Sequence, residues 1–443
     1  MVNKGDNAWQ MISGALVCMQ SMPGLVIIYA GLVKKKWALN SDFMALFALA
    51  AVMPCWVLWA NNMSFGEKLL PFWRKAGLAV SEYFLISQTI LPSTQYKNIT
   101  SAATPLFPMV TMVFFQYPFA AETVILLCGS VLGRMSFRAW MTFVPQWLTF
   151  SYTVSAFSVW GGGFLFQWGV MDYLGGYVVH VASRAAGYTV AYWITMSFKI
   201  LNDLTVWGWT GFNGGDPFAT NVYSSMAVID THICTATSLL VWACLDVIYF
   251  KKPSVIGAIQ GMMTGLVCIT PGASFPIKFK HEIALNSIVA LVMGIASGTI
   301  LWYTMMVLGK KLSLLQMVDD TLEIFQTHEV AGTLGEALTR LFAHPYLCSM
   351  FLIVPNSKGS FYGDDGGVQF WKLMVGAAFI IDWNVVVTSI ILNVIKLLIP
   401  LRMTDEDIKI GDDAVHGEEA YALQGQGRRD QTIQNGSCTV LIE

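Results

Sequence analysis

The sequence predicts an all-α, polytopic membrane protein of eleven transmembrane helices, and three observations carry that expectation. Of 443 residues, 55% are hydrophobic and 12% are charged, roughly half the charged fraction of soluble domains. Apolar stretches of about 20 residues recur along the chain, each long enough for a hydrocarbon core of roughly 30 Å. Lysines and arginines gather in alternate short loops between those stretches.

In order, the spans fall at 8–33, 40–65, 106–133, 137–160, 174–196, 199–215, 222–250, 254–271, 283–308, 322–343 and 368–400. The first is preceded by no basic segment and followed by no small-residue cleavage site, so it is expected to stay as a span. The sixth looks truncated. From Phe198 to Phe212 it would measure about 22 Å, short of the roughly 30 Å needed, and it carries Lys199 and Asp203. A deletion or a misplaced exon boundary is the simplest reading. The tenth is only weakly apolar. Residues 1–402 therefore make a transmembrane domain and 403–443 a polar tail, whose acidic patch at 405–419 reads as a solvated segment.

Orientation follows from basic residues in short loops. Lys34, Lys35 and Lys36 follow span 1, Arg134 and Arg138 follow span 3, Lys251 and Lys252 span 7, Lys310 and Lys311 span 9. The loops 161–173 and 213–223 have no lysine or arginine. The N-terminus is thus expected outside and the tail in the cytosol, with Lys278 and Lys280 as exceptions. The sequon at Asn98 then faces outward, where glycosylation occurs; the one at Asn435 does not. A net charge of −2 gives no bias toward nucleic acid. Eight cysteines form no CxxC pair, and the seven in or beside apolar segments read as small hydrophobes.

Polar groups inside such spans are costly and mark function by default. Span 5 opens with "DYLGGYVVH": Asp172 lies at its outer end, near the positive end of the helix dipole, and His180 about 12 Å deeper. Gly175 and Gly176 allow close helix approach. His328 lies in span 10, which runs the opposite way. An inverted repeat of five plus five helices, with an eleventh outside it, would bring both histidines near the midplane; a lone membrane histidine could equally be an interhelical hydrogen bonder. The same directions collect Phe115 and Phe119 of span 3, Trp160 at the end of span 4, and Trp209 and Phe212 of span 6 on the outer side. Aromatic faces attract a desolvated cation by about 0.5–2 kcal/mol. An interfacial aromatic belt explains them equally well on geometry alone.

The segments "VWGGG", "DYLGGYVVH", "GWTGFNGGDP", "KPSVIGAIQGMMTGLVCITPGA", the histidine after "DDTLEIF" and the tail "GDDAVHGEEAY" together resemble the ammonium transporter and Rhesus protein family, most like its second plant ammonium-transporter subfamily, from Gly5 to about Tyr421. The resemblance supports the tenth span and implies a homotrimer, or a mixed trimer, with one pore per subunit in the plasma membrane. It implies that Trp160 recruits ammonium, supported by Asp172, and that Asp216 adds a carboxylate where many members have a small hydroxyl or alanine. Phe119 and Phe212 resemble stacked gate rings beside Phe115, and His180 and His328 the paired imidazoles of the narrow pore. Stripping water from ammonium is costly, so deprotonation at the gate and passage of neutral ammonia is the physical logic, and it would exclude potassium. No cofactor is implied.

Several residues depart from the family pattern. Arg184 stands where the family has a small residue, one turn inward of His180 and on about the same face; a guanidinium there would block the pore or repel ammonium. Glu329, beside His328, is a candidate partner for it. Glu336, Arg340, Asp364, Asp365 and Asp382 replace glycine, and Glu122 replaces an apolar residue. Charges at such depth cost roughly 2.5–3.5 kcal/mol each. A degenerate, non-conducting copy that regulates, senses or is inactive is therefore the alternative to a transporter. The tail keeps the segment that couples subunits in plant members, but Ala414 replaces a phosphorylatable threonine of some relatives. An enzyme is not expected: "HEVAG" and "HEIAL" each begin like HExxH, but Gly332 and Leu285 replace the second histidine.

Overall fold

In the computed structural model, residues 2–26, 33, 35–92, 95–96, 99–100, 105–194, 205–273, 286–309, 311, 325–342, 359 and 366–418 are described. Asn98, Asn435, Lys34, Lys199, Asp203, Lys278, Lys280, Lys310, Asp364, Asp365 and most of the shortened part of span 6 lie outside them.

The fold is helical, as the apolar stretches require. Helices long and apolar enough to cross a membrane occupy Lys35–Phe65, Met109–Cys128, Val222–Phe250, Val255–Gly272, Ser287–Leu308 and Gly367–Lys396. Between them run Lys4–Met19, Phe137–Trp147, Thr153–Val159, Ala182–Ile194, Thr205–Gly215 and Ala331–Phe342. Two short antiparallel hairpins, Lys68–Leu70 with Trp73–Arg74 and Gln95–Tyr96 with Ile99–Thr100, sit in the long loop before Met109.

Among the described residues, helices are widened by π turns at Gln20–Gly24, Trp56–Ala60, Leu148–Tyr152, Gly176–Val181, Thr304–Leu308 and Phe325–Val330. Two of these follow prolines, Pro54 and Pro145, which remove an N–H from the helical ladder and loosen the next turn. The pair that carries His180 and His328 has no proline within it.

Packing is concentric. The Met109–Cys128 helix is buried over 89% of its apolar window, against 28% for Val222–Phe250, so the first is the hub and the second an outer wall. Around the hub lie Lys4–Met19, Ala38–Cys55 and Ala182–Ile194, while Thr205–Gly215 packs on Lys4–Met19. The outer wall is gripped on both sides. Cβ atoms at Gly261 and Gly298 would each fall within 3.1 Å of the Ser238 carbonyl. Glycines let backbones close where lipid supplies no hydrophobic drive between helices.

The start of the tail is docked on the helices. Ser136 and Met403 N–H groups donate to the carbonyls of Leu401 and Arg134. Thr404 and Asp407 form a capping box for Asp405–Ile410, whose last carbonyls accept from the Lys36 ammonium at 2.7 and 2.6 Å. Asp412 accepts from the N–H groups of Leu39 and Asn40 at 2.8 and 2.9 Å, capping the Ala38–Cys55 helix. Removing such a cap costs about 0.5–2 kcal/mol. Asp412→Ala is therefore expected to speed proteolysis of the tail beyond residue 403 several-fold in membranes while the transmembrane part stays intact. Unchanged cleavage would mean that the tail is held by other contacts.

Candidate functional site

The site is built from the turn that opens span 5. Asp172 turns its carboxylate back onto four successive backbone N–H groups. Oδ1 accepts from Gly175 and Gly176 at 2.6 and 2.7 Å, Oδ2 from Tyr177 and Val178 at 2.9 and 3.1 Å. These are the orphan donors of a helix start, and the carboxylate sits at the positive end of the dipole. Gly175 has φ +102°, open to glycine at little cost. A Cβ at Gly176 would come within 2.6 Å of Glu336 Oε1 and 2.8 Å of Pro271 Cγ. The main-chain carbonyl of Asp172 accepts from the Trp160 indole at 2.9 Å. One acidic residue thus ties the span-4 tryptophan to the helix that carries His180.

A chain of rings leads inward. Trp160 meets Phe119 edge-on with centroids 6.3 Å apart. Phe119 lies 4.4 Å from Phe212 and 4.9 Å from Phe115. Trp209 stacks on His180 at 5.6 Å with planes 10° apart, and Phe212 lies 6.3 Å from the same imidazole. Trp209 is held there by its indole N–H donating to Thr270 Oγ1 at 2.9 Å. Hydrophobic patterning gives no signal for this contact between the ring and the imidazole.

The chain of rings ends on the two histidines. His180 Nδ1 and His328 Nδ1 are 3.1 Å apart and their centroids 5.1 Å apart. Both rings are buried, 0% and 4% exposed. A hydrogen bond between two Nδ1 atoms needs one donor and one acceptor, so the neutral rings must take opposite tautomers. Among the described residues, His180 Nε2 has no hydrogen-bond partner.

The remaining candidates separate by location. Asp216 follows the Thr205–Gly215 helix, half-buried and within electrostatic range of Asp172. Glu329 is half-buried beside His328. Arg184, 2% exposed, donates from Nη1 to the Leu126 carbonyl at 2.9 Å and lies within electrostatic range of His180, His328 and Glu122. Glu336 Oε2 faces Arg340 Nη2 at 3.5 Å, one turn along the same helix. Arg340 also donates to the Met171 carbonyl at 3.0 Å and stands over the Tyr177 ring.

A family model described as Ammonium Transporter Family matches residues 8–200 and 202–421. The chain is 59% identical over 461 residues to Ammonium transporter 3 member 1 of Oryza sativa subsp. japonica, covering 98% of this chain and 91% of that one. It is 54% identical over 443 residues to Ammonium transporter 2 of Arabidopsis thaliana, covering 97% and 90%. Candida albicans Mep2, a crystal structure, has a TM-score of 0.74 at 25% identity, covering 95% of this chain and 94% of that one. A structure of a Sensor Amt Protein has a TM-score of 0.74 at 17% identity, a likeness of fold.

Proposed function

This chain belongs to the ammonium transporter family, and we propose that it moves ammonium across a membrane by passing ammonia along a pore lined by His180 and His328. The observation that carries this is the contact of the two imidazoles at the end of a continuous stack of rings. Ammonium arriving from water would exchange part of its shell for the Trp160 face. Asp172 holds that indole and the helix start in place, and Asp216 adds negative potential at the mouth. Between Phe119 and Phe212 an ion would have to be stripped, which costs far more than admitting a neutral molecule. Past the rings, His180 Nε2, without a hydrogen-bond partner among the described residues, offers one contact for ammonia and the imidazole pair a route for the separated proton.

In this reading the chain forms eleven spans as a five-plus-five inverted repeat with an additional helix. The N-terminus lies outside and the tail, from 403 on, in the cytosol, in a trimer at the plasma membrane. The non-conducting alternative rested on charges at depth, above all Arg184 at the pore, and on the shortened span 6. It loses weight because Glu336 faces Arg340 and because Arg184 is held by the Leu126 carbonyl. The chain is expected to restore growth on low ammonium to yeast that lacks ammonium uptake, and to take up radiolabelled methylammonium. His328→Ala is expected to lower uptake per surface protein by about 100-fold, the lower end of what a positioned proton carrier contributes. Failure of the unaltered chain to transport while present at the surface would remove the reading.

A further inference from the structure

Trp160 ends the helix Thr153–Val159 and is followed by three glycines, Gly161 to Gly163, which bring no side chains to hold the turn they make. Gly162 has φ +92°. A Cβ at Gly161 would overlap the Ser64 carbonyl oxygen, and one at Gly163 would fall 2.6 Å from Ser158 Cα. A glycine run is entropically costly to order, so the shape of this turn depends on what grips it from outside. That grip comes from the hairpin Lys68–Leu70 with Trp73–Arg74. The half-buried Arg74 donates from Nη2 to the Gly161 carbonyl. Its guanidinium also lies over the Phe157 ring of the same helix, 4.6 Å from the centroid. The Phe164 N–H donates to the Pro71 carbonyl at 2.9 Å, so the hairpin holds the turn at both ends. The hairpin is itself seated on membrane helices: Trp73 lies 6.0 Å from Phe150 and Phe72 5.5 Å from Trp383.

We propose that Arg74 is a positioning residue for substrate recruitment: from the outer hairpin it fixes the glycine turn behind Trp160 and so sets the pose of the indole that meets ammonium. The inference rests on the transport reading above, in which Trp160 is the first aromatic face the ion meets. The indole then has two anchors. Its N–H bonds the Asp172 carbonyl, and its backbone is held through Gly161 by Arg74. A guanidinium suits this task because it donates in its plane to a carbonyl while its face covers a ring. Its charge by itself opposes an arriving cation. An electrostatic role and an anchoring role therefore move affinity in opposite directions when the charge is removed.

The test measures methylammonium uptake against concentration in the same yeast, normalised to surface-biotinylated protein, for Arg74→Gln and Arg74→Lys. Arg74→Gln is expected to raise KM about tenfold with Vmax within about twofold of the native chain, the signature of lost binding rather than lost transport. Arg74→Lys keeps a charged donor but loses the flat fork, and is expected to raise KM about threefold. An unchanged or lowered KM in Arg74→Gln overturns the proposal, as does a fall in Vmax at native KM. If Arg74→Gln does not reach the surface, Arg74→Lys decides: a raised KM at native Vmax supports the anchor, and a native KM overturns it. Absence of both variants from the surface also overturns it, because the side chain would then serve folding of the loop instead of recruitment. No uptake by the unaltered chain removes the transport reading first, a result visible before any variant is compared.

Discussion

Asp172→Asn is expected to lower ammonium uptake per surface protein about 100-fold and to reduce the amount of folded protein. Four N–H donors converge on the native carboxylate between 2.6 and 3.1 Å. An amide keeps one acceptor oxygen and turns a donor onto the other pair, so two buried N–H groups face an NH2. Hydrogen bonds to a charged acceptor contribute about 1.5–3 kcal/mol each. Losing two, even partly relaxed, costs around 3 kcal/mol, and each ~1.36 kcal/mol lost from the productive geometry is about tenfold in rate. Trp160 would shift with the turn because its indole bonds the carbonyl of residue 172. Methylammonium uptake normalised to surface protein, with thermal aggregation in detergent, checks both effects. Wild-type uptake in this variant would mean that the carboxylate is not what sets the turn.

Arg340→Leu is expected to be the most destabilising single change outside the ring stack, by about 3–5 kcal/mol, the cost of leaving a buried partner unpaired. Glu336 is fully buried and its partner guanidinium 3% exposed. Arg340 also holds the Met171 carbonyl and caps the face of Tyr177, whose hydroxyl donates to the Leu373 carbonyl at 3.1 Å. Its loss is therefore felt just before the Asp172 turn and across to the last long helix. Replacing both charges, Glu336→Gln with Arg340→Leu, is expected to recover most of the stability, since apolar or neutral pairs often match a buried ion pair. Melting followed by size-exclusion chromatography in detergent measures this. A single variant as stable as the native chain would show that the pair is not the interior's only source of compensation.

Both effects turn on partners that no local pattern reveals. The helical, membrane-spanning class and the presence of the rings and the two histidines in apolar segments could be read because each depends on residue type and pattern alone. Apolar length sets whether a segment crosses, and direction sets depth to within about 1.5 Å per residue. Azimuth is another matter. On a straight helix Arg184 shares a face with His180, yet a π turn ends at Val181 between them. Each extra residue in such a turn rotates the rest of the helix by ~100°. Hydrophobic periodicity across the boundary does not register it.

What the sequence by itself determined is the membrane-spanning helical class, the family, and the roster of rings, imidazoles and charges carried by the apolar segments. Only the tertiary structure decided who faces whom: Trp209 on His180, Glu122 on Ser21 and Gln20, Glu336 against Arg340, and the Asp172 carboxylate on the N–H groups of its own turn. The reason is that burial along a span is a one-dimensional property of composition. Pairing across spans depends on helix rotation and glycine-mediated closeness, and these are settled by many weak contacts acting together.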